Sequence, residues 1–224
     1  MESTQQVEGI VLQAVPYKDY DRILTLFAPT GILKFFVKIR KRDYLHFAAL
    51  TSPWTRIELQ YTLGRKDLHR VQEGTILAQN LCLRDSFANL TAADTMSQAL
   101  LRSQWQGKAA PQLYSLFRLF LENLPISTAP STYASAFLIK TLAHEGMLQL
   151  STPQPSCRYG GEQYHPSHAP PGYLTFSADE ELLFSQLAVS RSLSHIGALT
   201  LPAELHTKIA TLFGQVFYTQ RALS

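Results

Sequence analysis

The stretch VEGIVLQAVPYKDYDRILTLFAPTGILKFFVKIRKR, residues 7–42, decides the fold. Within it Val7–Tyr17, Arg22–Ala28 and Gly31–Ile39 are rich in Val, Ile, Leu, Phe, Tyr and Thr, and Pro29-Thr30-Gly31 punctuates the last two runs as a turn. Two more such runs follow, Pro53–Leu63 and Leu68–Leu77, divided by Gly64-Arg65-Lys66-Asp67. Five short strands in the first 80 residues fit a small closed barrel such as the OB-fold, which removes exposed edges and offers one face and its loops to nucleic acid. An open sheet fits the same pattern.

Beyond Asn80 the apolar period lengthens. Leu113, Leu116, Phe117, Phe120, Leu121 and Leu124 keep the i, i+3, i+4, i+7 spacing that lines one side of a helix. Ala134, Phe137, Leu138, Thr141 and Leu142 repeat it less strictly, and Gly146 stands where a helix C-cap glycine belongs. Thr91 with Asp94, and Ser177 with Glu180, have capping-box spacing, and Leu201–Ala222 carries the apolar stripe of a last helix. The expected architecture is therefore α+β: a five-stranded OB-fold β-barrel over residues 1–80, then an α-helical bundle domain over 81–224. A stretch at about 150–173, with five prolines and three glycines, interrupts the bundle as a loop.

Composition agrees with a folded chain, since 46% of the 224 residues are hydrophobic and 17% charged. Met1–Gln6 lacks the basic flank and apolar run of a signal peptide, and no run of about 18 apolar residues occurs, so a cytoplasmic location without a membrane partner is expected. Cys82 and Cys157 alone make no disulfide framework. Charge is unevenly spread: residues 1–80 hold eleven Lys and Arg against eight Asp and Glu, whereas residues 81–224 hold nine of each. The whole net charge of +3 thus belongs to the barrel.

The basic residues are clustered. Lys34, Lys38, Arg40, Lys41 and Arg42 fall within nine residues, and Arg56, Arg65, Lys66 and Arg70 follow on the next strand pair. Such a patch neutralises phosphates and releases condensed counterions, giving an affinity that ignores base sequence and falls with salt. Phe35, Phe36, Tyr44, Phe47, Trp54 and Tyr61 are interleaved with these bases, and exposed rings serve single-strand binders as stacking platforms. Strand alternation must bury some of them. A solvated surface over an aromatic core fits the same residues.

Cys157, His165 and His168 are zinc-ligand types, but a structural zinc takes four ligands and Gly160 stands where a Cys-x-x-Cys pair would have its second thiol. The expectation is no cofactor, with zinc held by these three as the open alternative. Enzyme signatures are missing too: His144-Glu145 lacks the second histidine of H-E-x-x-H, and Gly107-Lys108 lacks the Walker A glycine. Asp179, Glu180 and Glu181 read as helix-start charges, and the chain is not expected to be an enzyme.

The first third also resembles a known family. Gly9-Ile10-Val11-Leu12, Tyr17-x-x-x-Asp21-Arg22-Ile23-Leu24-Thr25-Leu26-Phe27, Gly31, the basic segment Lys38–Arg42, Leu50-x-x-Pro53-Trp54-Thr55-x-Ile57-Glu58-Leu59 and Gly64-Arg65-x-Asp67-Leu68 are similar in order and spacing to the RecO family of bacterial DNA repair proteins. The resemblance implies an OB-fold that binds single- and double-stranded DNA and anneals complementary strands. It also implies help in loading RecA onto DNA coated by the single-strand binding protein SSB, with RecR as partner and the acidic, Phe-ended SSB tail held on the helical domain. Arg102, Arg118 and Lys140 are candidate edges for that tail's pocket. Many members carry two Cys-x-x-Cys pairs in the loop, of which only Cys157 remains here. Nucleoid association follows from the same resemblance. Lys34, Lys38, Arg40, Lys41, Arg42, Arg65, Lys66 and Arg70, with Arg22 as a further candidate, are the expected backbone contacts. An OB-fold adaptor that mainly binds proteins, and a metalloenzyme built on Cys157, His165 and His168, are the competing readings.

Overall fold

The computed structural model describes residues 4–64, 67–148, 156–168 and 172–222, with side chains described as far as Phe217. Alternation in the first third produces five strands: β1 (Thr4–Pro16), β2 (Arg22–Ala28), β3 (Gly31–Val37), β4 (Arg56–Thr62) and β5 (Leu68–Ala78). They pair in the order β1-β2-β3-β5-β4 and close into a barrel, because β1 is long enough to serve two neighbours. Its first half runs antiparallel to β4, from Thr4 opposite Thr62 to Ile10 opposite Arg56. Its second half pairs with β2, from Ile10 opposite Phe27 to Pro16 opposite Arg22, with a bulge between Val11 and Gln13 that bends the strand from one partner to the other. The open sheet is thereby removed from consideration.

Inward positions of successive strands fill the barrel. Val11, Leu24, Leu26, Phe35, Ile57 and Leu59 are fully buried, and Leu50 caps them from α1 (Tyr44–Leu50), which lies between β3 and β4 in the chain. Gly74 of β5 makes that cap possible: a Cβ there would come within 2.5 Å of a Leu50 methyl. No helix is expected over residues 44–50 from the sequence, because seven residues make about two turns and show no period. β4 also starts later than expected. Trp54 precedes it in the left-handed region at φ 64°, with its amide on the Val11 carbonyl and its own carbonyl taking the Asn80 side-chain amide.

Two compact units emerge, Met1–Asp85 with Gln104–Glu122, and Ser86–Ser103 with Asn123–Ser224. The first unit thus joins residues 104–122 to the strands. α2 (Phe87–Ser103) belongs to the second unit, whereas α3 (Pro111–Asn123) packs with the barrel. The outer face at one end of β1, β2 and β3 is itself apolar, with Ile10, Phe27 and Ile32 at 1%, 0% and 6% exposure. The rings of Tyr114 and Phe117 on α3 meet Phe27 edge-on at 6.0 and 6.3 Å. The Tyr114 hydroxyl donates to Glu8 of β1 at 3.0 Å, and burial together with that carboxylate pushes its pKa well up. Gly31, at φ 108°, lets the preceding segment close on the barrel, since a Cβ there would lie 2.4 Å from the Lys108 carbonyl.

The second unit is built around α4 (Pro130–His144), whose residues 132–139 are all buried, as expected of a helix surrounded on every side. α2, α5 (Ala178–Val189), α6 (Leu193–Ala198) and α7 (Ala203–Ala222) pack on it. Ser177 and Glu180 form the expected capping box at the start of α5. Thr91 does not cap α2: it lies one turn inside, where its hydroxyl bonds the Phe87 carbonyl at 2.9 Å. Gly146 ends α4 at φ 72°, as expected of a C-cap glycine.

The expected loop at 150–173 also carries structure. β6 (Ser156–Tyr159), β7 (Glu162–Tyr164) and β8 (Leu174–Phe176) form a small sheet in the order β7-β6-β8, and strands of three or four residues are too short to show an alternation. Among the described residues no helix is long and apolar enough to cross a membrane.

Candidate nucleic-acid interface

The strand period sorts the basic residues before any tertiary contact does. On β3, Phe35 and Val37 point into the barrel, so Lys34 and Phe36 point out, and Lys38 and Arg40 continue outside along the extended exit from the strand. Lys34 stands opposite Thr25 of β2 and Leu68 of β5, while Phe36 stands opposite Ile23 and Arg70. Lys34, Lys38, Arg40, Lys41, Arg42 and Arg70 are all exposed. Among the described residues, the ion pairs of these six are limited to a surface contact of Arg42 with Asp43 at 3.4 Å. Five exposed cations without a carboxylate partner are thus gathered on the outer side of β3, its exit and β5. Coulomb repulsion among them is relieved by an external anion.

Arg22 is half-buried on β2, opposite Pro16 and Val37, and is less available. Asp21 pins the adjoining turn through a backbone amide. Its carboxylate accepts from Ile39 N–H at 2.9 Å and ties the β1–β2 turn to the exit of β3. Arg65 and Lys66, expected as contacts, lie outside the described residues.

The aromatic residues divide in the same way. Phe35 and Tyr61 belong to the core, Phe36, Phe47 and Trp54 are half-buried, and Tyr44 is exposed. Sequence reasoning missed Tyr17, Lys18 and Tyr20, which the β1–β2 turn places beside the basic residues: Tyr17 meets Phe36 and Tyr20 meets Tyr44. The signal available was positional, because the first interstrand loop of an OB-fold borders its nucleic-acid face.

The second unit holds a groove of about 730 Å³ between α2, α4 and α7, lined mainly by apolar and hydroxyl side chains, among them Ala88, Thr95, Ala134 and Ala210. Ser135 and His206 meet on its lining at 2.7 Å, and burial lowers the His206 pKa. Two of the three expected basic edges are engaged elsewhere. Lys140 donates to the carbonyls of Ala188 and Ser190 at the end of α5, at 3.2 and 2.6 Å, and Arg118 lies with the barrel, paired to Glu122 at 3.6 Å. Arg102 is exposed in the last turn of α2.

A zinc site does not fit these residues. Cys157 is buried in β6 opposite Thr175 and Tyr164, His165 and His168 are exposed, and His165 bonds the Ser167 hydroxyl at 2.6 Å. Among the described residues no three His, Cys, Asp or Glu side chains gather as a metal-binding group.

Comparison with known proteins bears on the same region. The family model described as "Recombination protein O N terminal" matches residues 1–80. The DNA repair protein RecO of Chlamydia pneumoniae is 31% identical over 220 residues, spanning 92% of this chain and 86% of that protein. Its counterpart in Chlamydia muridarum is 29% identical over 226 residues, spanning 95% of each. Among solved structures, asparaginyl-tRNA synthetase from Pyrococcus horikoshii aligns with a TM-score of 0.33 at 10% identity, covering 84% of this chain and 42% of that one. A likeness so slight bears on neither fold nor function.

Proposed function

This chain belongs to the RecO family of DNA repair proteins, and from that premise we propose that its barrel binds single- and double-stranded DNA through the outer face of β3 and β5 and anneals complementary strands. The observation that carries the proposal is the set Lys34, Lys38, Arg40, Lys41 and Arg70, exposed and without carboxylate partners among the described residues. Two strands that approach each other repel through their phosphates. Cations held on a rigid strand lower that repulsion without selecting a sequence, and base pairing between the strands supplies the match. Arg42, whose pairing with Asp43 is at the surface, belongs to the same proposal, with Arg22, Arg65 and Lys66 as peripheral contacts. Mediation of RecA loading on SSB-coated DNA, with RecR, extends it to the family's role; no hydrolytic step is part of it.

The test is a titration across salt of the wild type against a Lys38→Glu, Arg40→Glu, Arg42→Glu variant. Loss of three phosphate contacts makes the log–log salt slope on single strands shallower by about 2, and the annealing rate falls with it. A folded variant with the wild-type slope and annealing rate removes the proposal and favours the protein-binding adaptor.

For the SSB tail, the groove between α2, α4 and α7 is the proposed seat, supported by its apolar lining and by the exposed Phe87 at its rim. Thr207→Trp fills the groove from α7 and is expected to weaken an acidic peptide ending in Phe by about tenfold, with DNA affinity retained. Unchanged peptide affinity in calorimetry moves the seat elsewhere.

A further inference from the structure

We propose that Tyr17, Tyr20 and Tyr44, with Phe36 behind them, form a stacking platform for unpaired bases, so that the barrel discriminates single strands from duplex by ring contact as well as by charge. This rests on the DNA-binding reading above and adds to it a recognition element that charge alone does not supply.

The platform starts from the turn between β1 and β2. Tyr17 N–H bonds the Asp21 carbonyl at 2.8 Å and Asp21 N–H bonds the Lys18 carbonyl at 2.9 Å, closing a tight turn. Lys18 and Asp19, both at φ 41°, are consecutive non-glycine residues in the left-handed region, a conformation that side chains other than glycine adopt at a cost. Strain of this kind concentrates where a segment is held for function. Here the fastening is visible, because Asp21 is bonded to the Ile39 amide between Lys38 and Arg40.

The held turn displays two rings. Tyr17 is 44% exposed and meets the half-buried Phe36 edge-on, 6.0 Å between centroids at 89°. Tyr20, 45% exposed, meets Tyr44, 37% exposed, at 5.7 Å and 67°. Edge-to-face pairing of this kind fixes each ring while leaving face area open to a further planar group. Tyr44 lies three residues beyond Lys41, Phe36 stands opposite Arg70, and the Lys18 ammonium lies 5.7 Å from the Tyr17 ring.

Rings and unpaired cations thus alternate over one surface, the combination that suits a chain with phosphates on one side and planar bases on the other. A duplex presents the phosphates and keeps its base faces stacked internally. A single strand presents both. Scattered surface apolar residues need no explanation, but four rings in two contacts among cations fit unpaired bases.

The experiment uses the full chain and three probes of matched length: oligo-dT, an abasic oligonucleotide with the same phosphates, and a duplex. The wild type is expected to bind oligo-dT at least about tenfold more tightly than the abasic strand. Tyr20→Ala with Tyr44→Ala removes that difference, while duplex affinity and the salt slope stay at wild-type values. Tyr20→Phe with Tyr44→Phe, which keeps the rings, restores it. Equal wild-type affinity for oligo-dT and the abasic strand overturns the platform while leaving charge-based binding in place, as does a difference that survives in the alanine variant. No salt-dependent binding to any probe overturns both this proposal and the reading it rests on.

Discussion

Glu181→Ala is expected to destabilise the second unit by about 3–5 kcal/mol, with a fall in midpoint on thermal unfolding of roughly 10 °C. Glu181 lies in the first turns of α5 and is fully buried, as is its partner Arg158 on β6, the central strand of the small sheet. The Arg158 Nε donates to Glu181 Oε1 at 2.8 Å, a second guanidinium nitrogen reaches Oε2, and the Ser156 hydroxyl donates to Oε1 as well. The guanidinium carbon lies 4.8 Å from the Phe184 ring centre. Truncating the acid leaves a guanidinium out of water with its principal counter-charge gone, and that penalty, rather than the Coulomb energy of the intact pair, sets the size of the effect. Replacing both partners with Arg158→Met and Glu181→Leu is therefore expected to be near neutral or stabilising. Chemical denaturation followed by circular dichroism checks both. A Glu181→Ala protein within about 1 kcal/mol of wild type overturns the assignment. Arg158 stands one residue beyond Cys157. In this chain the sheet is fastened to α5 by buried charge.

None of that fastening is legible in the sequence. Asp179, Glu180 and Glu181 read alike as helix-start charges, yet Asp179 is exposed, Glu180 closes the capping box and pairs with Lys208 at 2.8 Å, and Glu181 is buried. What separates them is a strand more than twenty residues upstream, a distance over which periodicity carries no information. The barrel is legible for the opposite reason. Its strands alternate, its turns are punctuated by Pro and Gly, and β2 occupies the expected Arg22–Ala28. The stripe of α4 is blurred because burial on all sides removes the polar face that would show a period. On the barrel the basic cluster is visible as composition. That Tyr17 and Tyr20 stand beside these bases depends on the Asp21–Ile39 bond and the left-handed turn, which no local pattern encodes.

Phe117→Ala is expected to cost about 3–5 kcal/mol, and the damage should fall on the barrel although the residue is helical. A stripe such as Leu113, Phe117, Phe120 and Leu121 says that a helix must bury one side, but not against which partner. Here the partner is the outer face of β1–β3, where Phe117 is fully buried against Phe27. Leu119, 42% exposed on the same helix, is the control, and its change to alanine should stay within about 0.5 kcal/mol. A double-mutant cycle of Phe27→Ala with Phe117→Ala should show coupling of about 0.5–1.5 kcal/mol beyond additivity. Full additivity would mean that α3 is held by other contacts. The same packing governs how the barrel can be isolated. A fragment ending at residue 80 leaves Ile10, Phe27 and Ile32 without their cover and strands Glu8 from Tyr114, so it should associate through that exposed face. A fragment that keeps residues 104–122 joined to the barrel should stay monomeric and retain the salt-dependent binding, and sedimentation of the two separates the outcomes.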